Sequence, residues 1–486
     1  MLRRVINHHD SIPHRVPPET LTTIASNLPN NSSLIAATRV CYLWRSTLLS
    51  APSLWSHLTF ENEQCGLVFL ERSRSVPVSV DLTGNRVPSQ AVRGSLKRAA
   101  NRFITLRGAY SMFLDELLAD PPPTLTNLDI IQSPDRQWRQ STHSLPSLKS
   151  LSITDLGCNF FHVPHLTNIL FELTCHLRTP EGLENDLINF FQSCPLLEVI
   201  FLSYGDSRSD VGSTDDRAFA EVIHLPHLRS FTHESPTDAV HISLFSRLSL
   251  PPTCDVVFAI ETSNTEFDRG PWNHGFPTPP QPSYLSDIKV VKMTADVEGR
   301  SSRITFKTEL CSSKNRRVLF NVTSHSSNFD PFSAAKQLLD FLESSGVALS
   351  IENLHFERYP VHPPEESVAP DLTSQLQRFR MLKSFVLLQC NPHLFLWNPS
   401  PRGGWCPSVE KLVIDPLPQR SAWGPVGRDV LEQVRQIAVS RHWGGNPLKT
   451  VVLFFRDTKK LLDGSKELME DLNSCVETVQ ILESGS

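Results

Sequence analysis

Five side chains able to ligate a soft metal fall close together: Cys158, His162, His165, Cys175 and His176. Thiolate and imidazole are the donors tetrahedral zinc takes, normally as two close-spaced pairs. The gaps here match no such module, and His165 lies inside a phrase that recurs along the chain, so the cluster reads as incidental. A second group, Asp206, Asp210, Asp215 and Asp216, offers the hard oxygens calcium prefers. It lacks the central Gly and closing Glu of a calcium loop and reads as a solvated face. His8 and His9 lie in a polar N-terminal tail. Catalytic patterns are absent: there is no G-x-S-x-G elbow, no G-x-x-x-x-G-K-[ST] phosphate loop, no G-x-G-x-x-G turn and no H-E-x-x-H helix. The expectation is a chain that is not an enzyme and holds no metal or cofactor.

The elements must therefore position surfaces rather than reacting groups. The chain has 486 residues, with 46 Lys+Arg against 51 Asp+Glu and a formal charge of −5. So near-neutral a balance, without basic blocks, argues against a nucleic-acid partner or a membrane surface. The ten cysteines form no C-x-x-C pair and no disulfide framework, and most have apolar neighbours, as buried thiols in a reducing compartment do. The first residues carry Arg3 and Arg4 but no apolar stretch behind them, and no run approaches the roughly 18 apolar residues of a membrane span. An intracellular protein of cytoplasm or nucleus is expected.

Residues 14–60 are the most informative segment. Val16-Pro17-Pro18-Glu19 puts proline in a first helical turn, where a missing N–H costs nothing, and an acid at the positive helix end. Leu21, Ile24, Ala25 and Leu28 then form one apolar stripe, stopped by Pro29-Asn30-Asn31. Ser32 or Ser33 caps a second helix with Leu34, Ala37, Val40, Cys41, Trp44 and Leu48, which ends near Pro52. Leu54, Trp55 and Leu58 fold back as a third group. So short a bundle cannot hide this many apolar side chains, and some must face a partner.

In this pattern the segment resembles an F-box: Leu-Pro-x-Glu, a Leu/Ile helix, a break, Leu…Val-Cys-x-x-Trp-Arg…Leu and a closing Leu-Trp. Val16 stands where the family has Leu, and Ser32-Ser33 where a charged pair is common. The resemblance implies docking on a Skp-type adaptor, and through it a cullin, with Pro17, Pro18, Glu19, Leu21, Ile24, Leu28 and Leu34 at or near the adaptor. Val40, Cys41, Trp44, Leu48 and Trp55 are read as F-box core. The helix around Leu67–Arg74 and the strand Val76–Leu82 resemble a block found after the F-box in fungal F-box proteins.

Residues 61–486 carry a recurring phrase, Pro-x-Leu-x-x-apolar-x-apolar, beginning at Pro123, Pro146, Pro164, Pro195 and Pro226, with weaker copies from Pro252, Arg380, Pro407 and Pro447. Each alternates like a strand with one buried face, opened by proline where no ladder N–H is needed. Helical spacing lies between: Val92, Leu96 and Ala99; Leu183, Leu187, Phe190 and Phe191; Asp330 through Leu342 to Gly346; Val430, Val434 and Ile437 before Gly444-Gly445. Strand and helix in succession predict a parallel sheet with helices behind it. The fold class expected is α/β: a three-helix F-box, then a divergent leucine-rich-repeat-like β/α solenoid, with a compact α/β domain of ordinary topology as the alternative. The irregular spacing brackets the roughly 20–29 residue period of such repeats without holding to it.

Residues 1–13 are expected to be a tail, and 203–216, 264–284 and 358–371 loop insertions. Pro277-Thr278-Pro279-Pro280 reads as a surface loop or an extended proline-type ligand, and Trp272, His274 and Phe276 as a recognition surface or as residues tucked into the array. The resemblance implies the substrate-recognition adaptor of an SCF-type ubiquitin ligase, its solenoid holding a protein substrate. The alternatives are a scaffold that binds the adaptor without ubiquitin transfer, which loss of the charged pair at Ser32-Ser33 makes thinkable, and an enzyme with an appended F-box.

Overall fold

The computed structural model describes residues 16–28, 30–84, 88–109, 111–131, 143–154, 161–173, 183–204, 222–235, 247–251, 253–262, 288–297, 304–312, 317–324, 331–344, 346–357, 376, 378–390, 408–416, 426–455 and 465–483. The expected tail, nearly all of the three loop insertions, the acidic group and Cys158, Cys175 and His176 lie outside them. The chain divides into two compact units, residues 1–175 with 185–197, and 176–184 with 198–486. The N-terminal helices belong to the first unit, together with the first strands of the array.

That unit opens with α1 (Pro18–Ser26), α2 (Asn31–Ala37), α3 (Tyr42–Ser50) and a 3-10 turn over Pro52–Trp55. Pro18 starts α1 with Glu19 in its first turn. The side chain of Asn30 accepts from Ser33 N–H, so Asn30 rather than a serine caps α2. Strands β1 (His57–Thr59), β2 (Val78–Leu82), β3 (Phe103–Ala109), β4 (Asn127–Ile131), β6 (Ser150–Thr154) and β8 (Asn168–Leu173) pair in that order, all parallel. Helices α4 (Glu63–Arg72), α5 (Gln90–Ala99) and α6 (Met112–Ala119) fall between the early strands, and α7 (Leu183–Ser193) lies mostly in this unit. The short strands β5 (His143–Ser144) and β7 (Phe161–His162) pair with each other outside the main sheet.

The recurring phrase has a definite geometry. Leu148 donates to Leu145 O, Leu166 to Val163 O, Leu125 to Pro122 O and Cys194 O receives Leu197 N–H, each closing a four-residue turn with proline second, the position that suits its fixed φ. The strand begins four residues later, as at Pro146 and Ser150 or Pro164 and Asn168. Proline therefore makes the turn and does not open the strand, a correction to the reading from alternation. The residues before and two after the proline, and the second and fourth of the strand, point inward: Leu145, Leu148, Leu151 and Ile153 are all at most 2% exposed. Two successive N–H groups then fork onto one carbonyl of the preceding phrase, as Lys149 and Ser150 do on Thr126 O and Thr167 and Asn168 on Lys149 O.

The second unit contains β9 (Val199–Tyr204), β10 (Ile223–His224), β11 (Ser230–Ser235), β12 (Leu248–Ser249), β13 (Asp255–Thr262), β14 (Ile288–Val297), β15 (Ile304–Ser312), β16 (Arg317–Ser324), β17 (Asn353–Glu357), β18 (Ser384–Cys390), β19 (Lys411–Pro416), β20 (Thr450–Phe455) and β21 (Thr478–Glu483). Its main sheet runs β9, β11, β13, β16, β15, β14, β17, β18, β19, β20, β21. A parallel succession was expected throughout. Instead β14, β15 and β16 form an antiparallel meander, and β16 rather than β14 lies beside β13. The connections at 298–303 and 313–316 are too short for a crossover, which needs about a dozen residues, so adjacent strands must reverse.

Helices α8 (Pro331–Ser344), α9 (Val426–Trp443) and α10 (Lys466–Cys475) complete the unit. Leu338, Leu339 and Leu342 of α8 and Val430, Leu431, Val434, Ile437 and Ala438 of α9 are buried, and Gly445 turns the chain after α9 with φ +76°. On β18 to β20 both faces carry buried side chains, since Val386, Val413 and Val452 gather opposite the main core with Leu388 and Phe454 beside them.

A charge ladder marks one end of these strands. Lys289 in β14 is followed by Glu352, Lys383, Glu410, Lys449 and Glu477, each just before the strand it introduces, β17 to β21 in turn. Glu352 meets Lys289 at 3.0 Å and Lys383 at 2.9 Å, and Glu410 meets Lys449 at 3.0 Å. Backbone forks on Glu352 O, Lys383 O and Glu410 O hold the rungs from Glu352 to Lys449 side by side, whereas Glu477 N–H bonds Leu448 O and only Thr478 reaches Lys449 O.

Candidate partner-docking site

The N-terminal bundle is small, and its side chains divide sharply. Leu21 and Leu48 are fully buried, Leu34 is 5% exposed, and Ala25 and Ala37 join them inside, because α1 lies against α3 and turns its Leu21–Ala25 edge inward. Pro17, Pro18 and Glu19 lie at the surface, Ile24 is 44% exposed and Leu28 is half-buried. Of the residues expected in the core, Leu48 and Trp55 are fully buried, Cys41 and Trp44 half-buried, and Val40 is 58% exposed. Tyr42, at the first turn of α3, is 79% exposed. Sequence reasoning passed it over because it stands off the apolar stripe.

Trp55 ties the bundle to α4. Its indole N–H donates to Leu48 O across 2.9 Å, its ring stands edge-on to Phe69 of α4 with centroids 4.8 Å apart, and the Arg72 guanidinium lies 4.7 Å above it. Gly66 of α4 lets the Phe60 ring pack against the helix, since a Cβ there would fall 2.6 Å from that ring. Asn31 Nδ2 reaches Thr59 Oγ1 at 3.2 Å and His57 O at 3.4 Å, so α2 covers the outer edge of β1. Trp44 is the exception to this economy: its buried Nε1–H finds no acceptor among the described residues.

Residues 14–61 match the F-box-like family. The segment is an F-box-like domain, and the expectation drawn from Pro17-Pro18-Glu19, Val40-Cys41, Trp44-Arg45 and Leu54-Trp55 is met for it. No curated protein matches the chain. The F-box-like domain presents Pro17, Pro18, Glu19, Ile24, Val40 and Tyr42 to solvent and keeps Leu21 and Leu34 for its own packing.

Chemistry is sparse elsewhere among the described residues. His162 and His165 are exposed, and among the described residues no three metal-ligating side chains come together. A cleft of about 430 Å³ between α4 and α5 is lined by Leu67, Glu71, Arg98 and Arg102. Arg102 is committed there, donating to Val76 O at 2.8 Å and Ser73 Oγ at 2.6 Å, and burial lowers its pKa. His143 Nε2 lies 3.0 Å from Asp115 Oδ1, joining β5 to α6. Burial pushes the Cys194 thiol up to about 11, so it is a poor nucleophile. Among the described residues no helix is long and apolar enough to cross a membrane.

Proposed function

We propose that this chain is the substrate-recognition adaptor of an SCF-type cullin-RING ubiquitin ligase. Its F-box-like domain holds a Skp-type adaptor, and the strand array, read as a divergent leucine-rich-repeat-like solenoid, holds a protein substrate. The observation that carries this reading is the set of solvent-facing apolar side chains, Ile24, Val40 and Tyr42, on a bundle that matches the F-box-like family. So small a domain gains nothing from exposing them unless a partner covers them. The chain works by proximity: it raises the effective concentration of substrate lysines near a conjugating enzyme brought by other chains, and supplies no nucleophile itself.

The test is affinity purification of the full chain beside its Ile24→Asp and Tyr42→Asp variants, with identification of the Skp adaptor and cullin. Both should accompany the parent chain and be depleted with the variants. Adaptor without cullin would leave the scaffold reading, and absence of the adaptor would overturn both.

A further inference from the structure

The sheet of the second unit ends on β21, which pairs with β20 and with no other strand among the described residues. Position by position β21 repeats its neighbour, with Val479 beside Val451 and Ile481 beside Leu453. Val451 and Leu453 are fully buried, whereas Val479 and Ile481 are half exposed and Leu482 is 43% exposed. The cause is lateral: β20 is flanked on both sides and β21 on one. Thr478 donates its N–H to Lys449 O on the β20 side, and alternation along the strand turns the N–H and C=O groups of Val479 and Ile481 the other way. Such an edge is a template for one more strand.

The charge ladder says what kind of strand. Signs alternate from Lys289 through Glu352, Lys383, Glu410 and Lys449 to Glu477, and the exposed Glu477 is its last member among the described residues. The next rung is a cation. We propose that β21 accepts an extended segment of a partner protein, parallel to it, with Lys or Arg beside Glu477 and apolar residues at alternate positions covering Val479 and Ile481. A second copy of this chain suits the edge poorly. Parallel self-pairing sets Glu477 against Glu477, and antiparallel pairing about Gln480 sets Glu477 against Glu483, and like charges placed opposite destabilise. This surface is independent of the adaptor reading, and a test that contains neither adaptor nor ubiquitin lets the two fail separately.

The probe is a fluorescein-labelled peptide, Ser-Lys-Thr-Val-Thr-Leu-Thr-Ser, patterned on residues 449–453, with a control carrying Glu for Lys. Titrated with the full chain and monitored by anisotropy, the Lys peptide should bind about tenfold more tightly than the control. Glu477→Lys, an exposed change, should reverse that order, and Ile481→Pro, which removes one outward N–H, should abolish binding of both. The proposal is overturned if the Lys peptide does not bind, or if Glu477→Lys leaves the preference unchanged. It is equally overturned if the parent chain dimerises and Ile481→Pro makes it monomeric, since a second copy would then be the occupant.

Discussion

Trp55 donates its indole N–H to the carbonyl oxygen of Leu48 across 2.9 Å, and both residues are fully buried. That carbonyl lies in the last turn of α3, where it also accepts from Ala51 N–H at 3.4 Å, so the indole adds a second donor at the helix end while its ring fills the space against Phe69. Trp55→Ala should lower unfolding stability by about 3–5 kcal/mol, through lost burial and loss of one of the two hydrogen bonds that Leu48 O accepts. Trp55→Phe keeps most of the ring and should cost nearer 1–2 kcal/mol. Urea unfolding monitored by circular dichroism measures both, and a Trp55→Phe cost near zero would show that the hydrogen bond contributes little.

Neighbours on α1 should separate stability from docking. Leu21 is fully buried, so Leu21→Ala should cost about 2–5 kcal/mol. Ile24 is 44% exposed, and Ile24→Ala should cost under about 1 kcal/mol while weakening capture of a Skp-type adaptor several-fold. Parallel urea titrations and adaptor pull-downs decide the matter. Loss of capture from both variants in proportion to stability would remove Ile24 from the interface.

The helices read from the sequence rest on local signals: the stripe of Val430, Val434 and Ile437, closed by Gly444-Gly445, needs only periodicity and a residue that accepts positive φ, whereas the same signals miss α6 and α10. The F-box-like segment is readable as a family pattern, but the same periodicity runs Leu34 to Leu48 together as one helix where the chain breaks over Thr38–Cys41 into α2 and α3. Periodicity does not say which side of a stripe a second helix covers. Leu21 and Ile24 look alike in the sequence, and only the packing of α1 against α3 makes one core and the other surface. The proline phrases mark strands, but not the turn that proline serves, since alternation does not locate a strand's first residue. The meander of β14 to β16 escapes the same reading, because alternation carries no strand direction, which depends instead on the short 298–303 and 313–316 connections. The Lys289 to Glu477 ladder joins residues far apart in the chain, and only the register of the sheet brings them together.

Reversing one rung tests that ladder. The Lys383 ammonium, first, and Lys289 hold the Glu352 carboxyl below its usual range. A carboxyl so depressed stabilises the fold above its unfolded pKa, and the contribution fades as pH falls through the folded value. Glu352→Lys places three cations in a row and should lower Tm by on the order of a few degrees at low salt, with the deficit shrinking as salt screens the repulsion. Calorimetry at two ionic strengths measures it. A salt-independent deficit would mean that packing, not charge, is responsible.

His233, on β11, gives the sharpest pH prediction. It is 4% exposed, with its ring 6.1 Å from that of Phe258, and burial lowers its pKa from 6.5 to about 4. Between those values the unfolded chain takes up a proton that the folded chain refuses, so stability must fall as pH drops below about 6.5, reaching its full loss near pH 4. At pH 5 the loss relative to pH 7 is about 2 kcal/mol from this residue alone. His355, held down chiefly by burial and then by Lys292, contributes with the same sign. His233→Phe removes the titrating group, so the stability difference between pH 7 and pH 5 should shrink by about 2 kcal/mol relative to the parent chain. Urea midpoints at the two pH values provide the number, and an unchanged difference would show that the imidazole accepts its proton without unfolding.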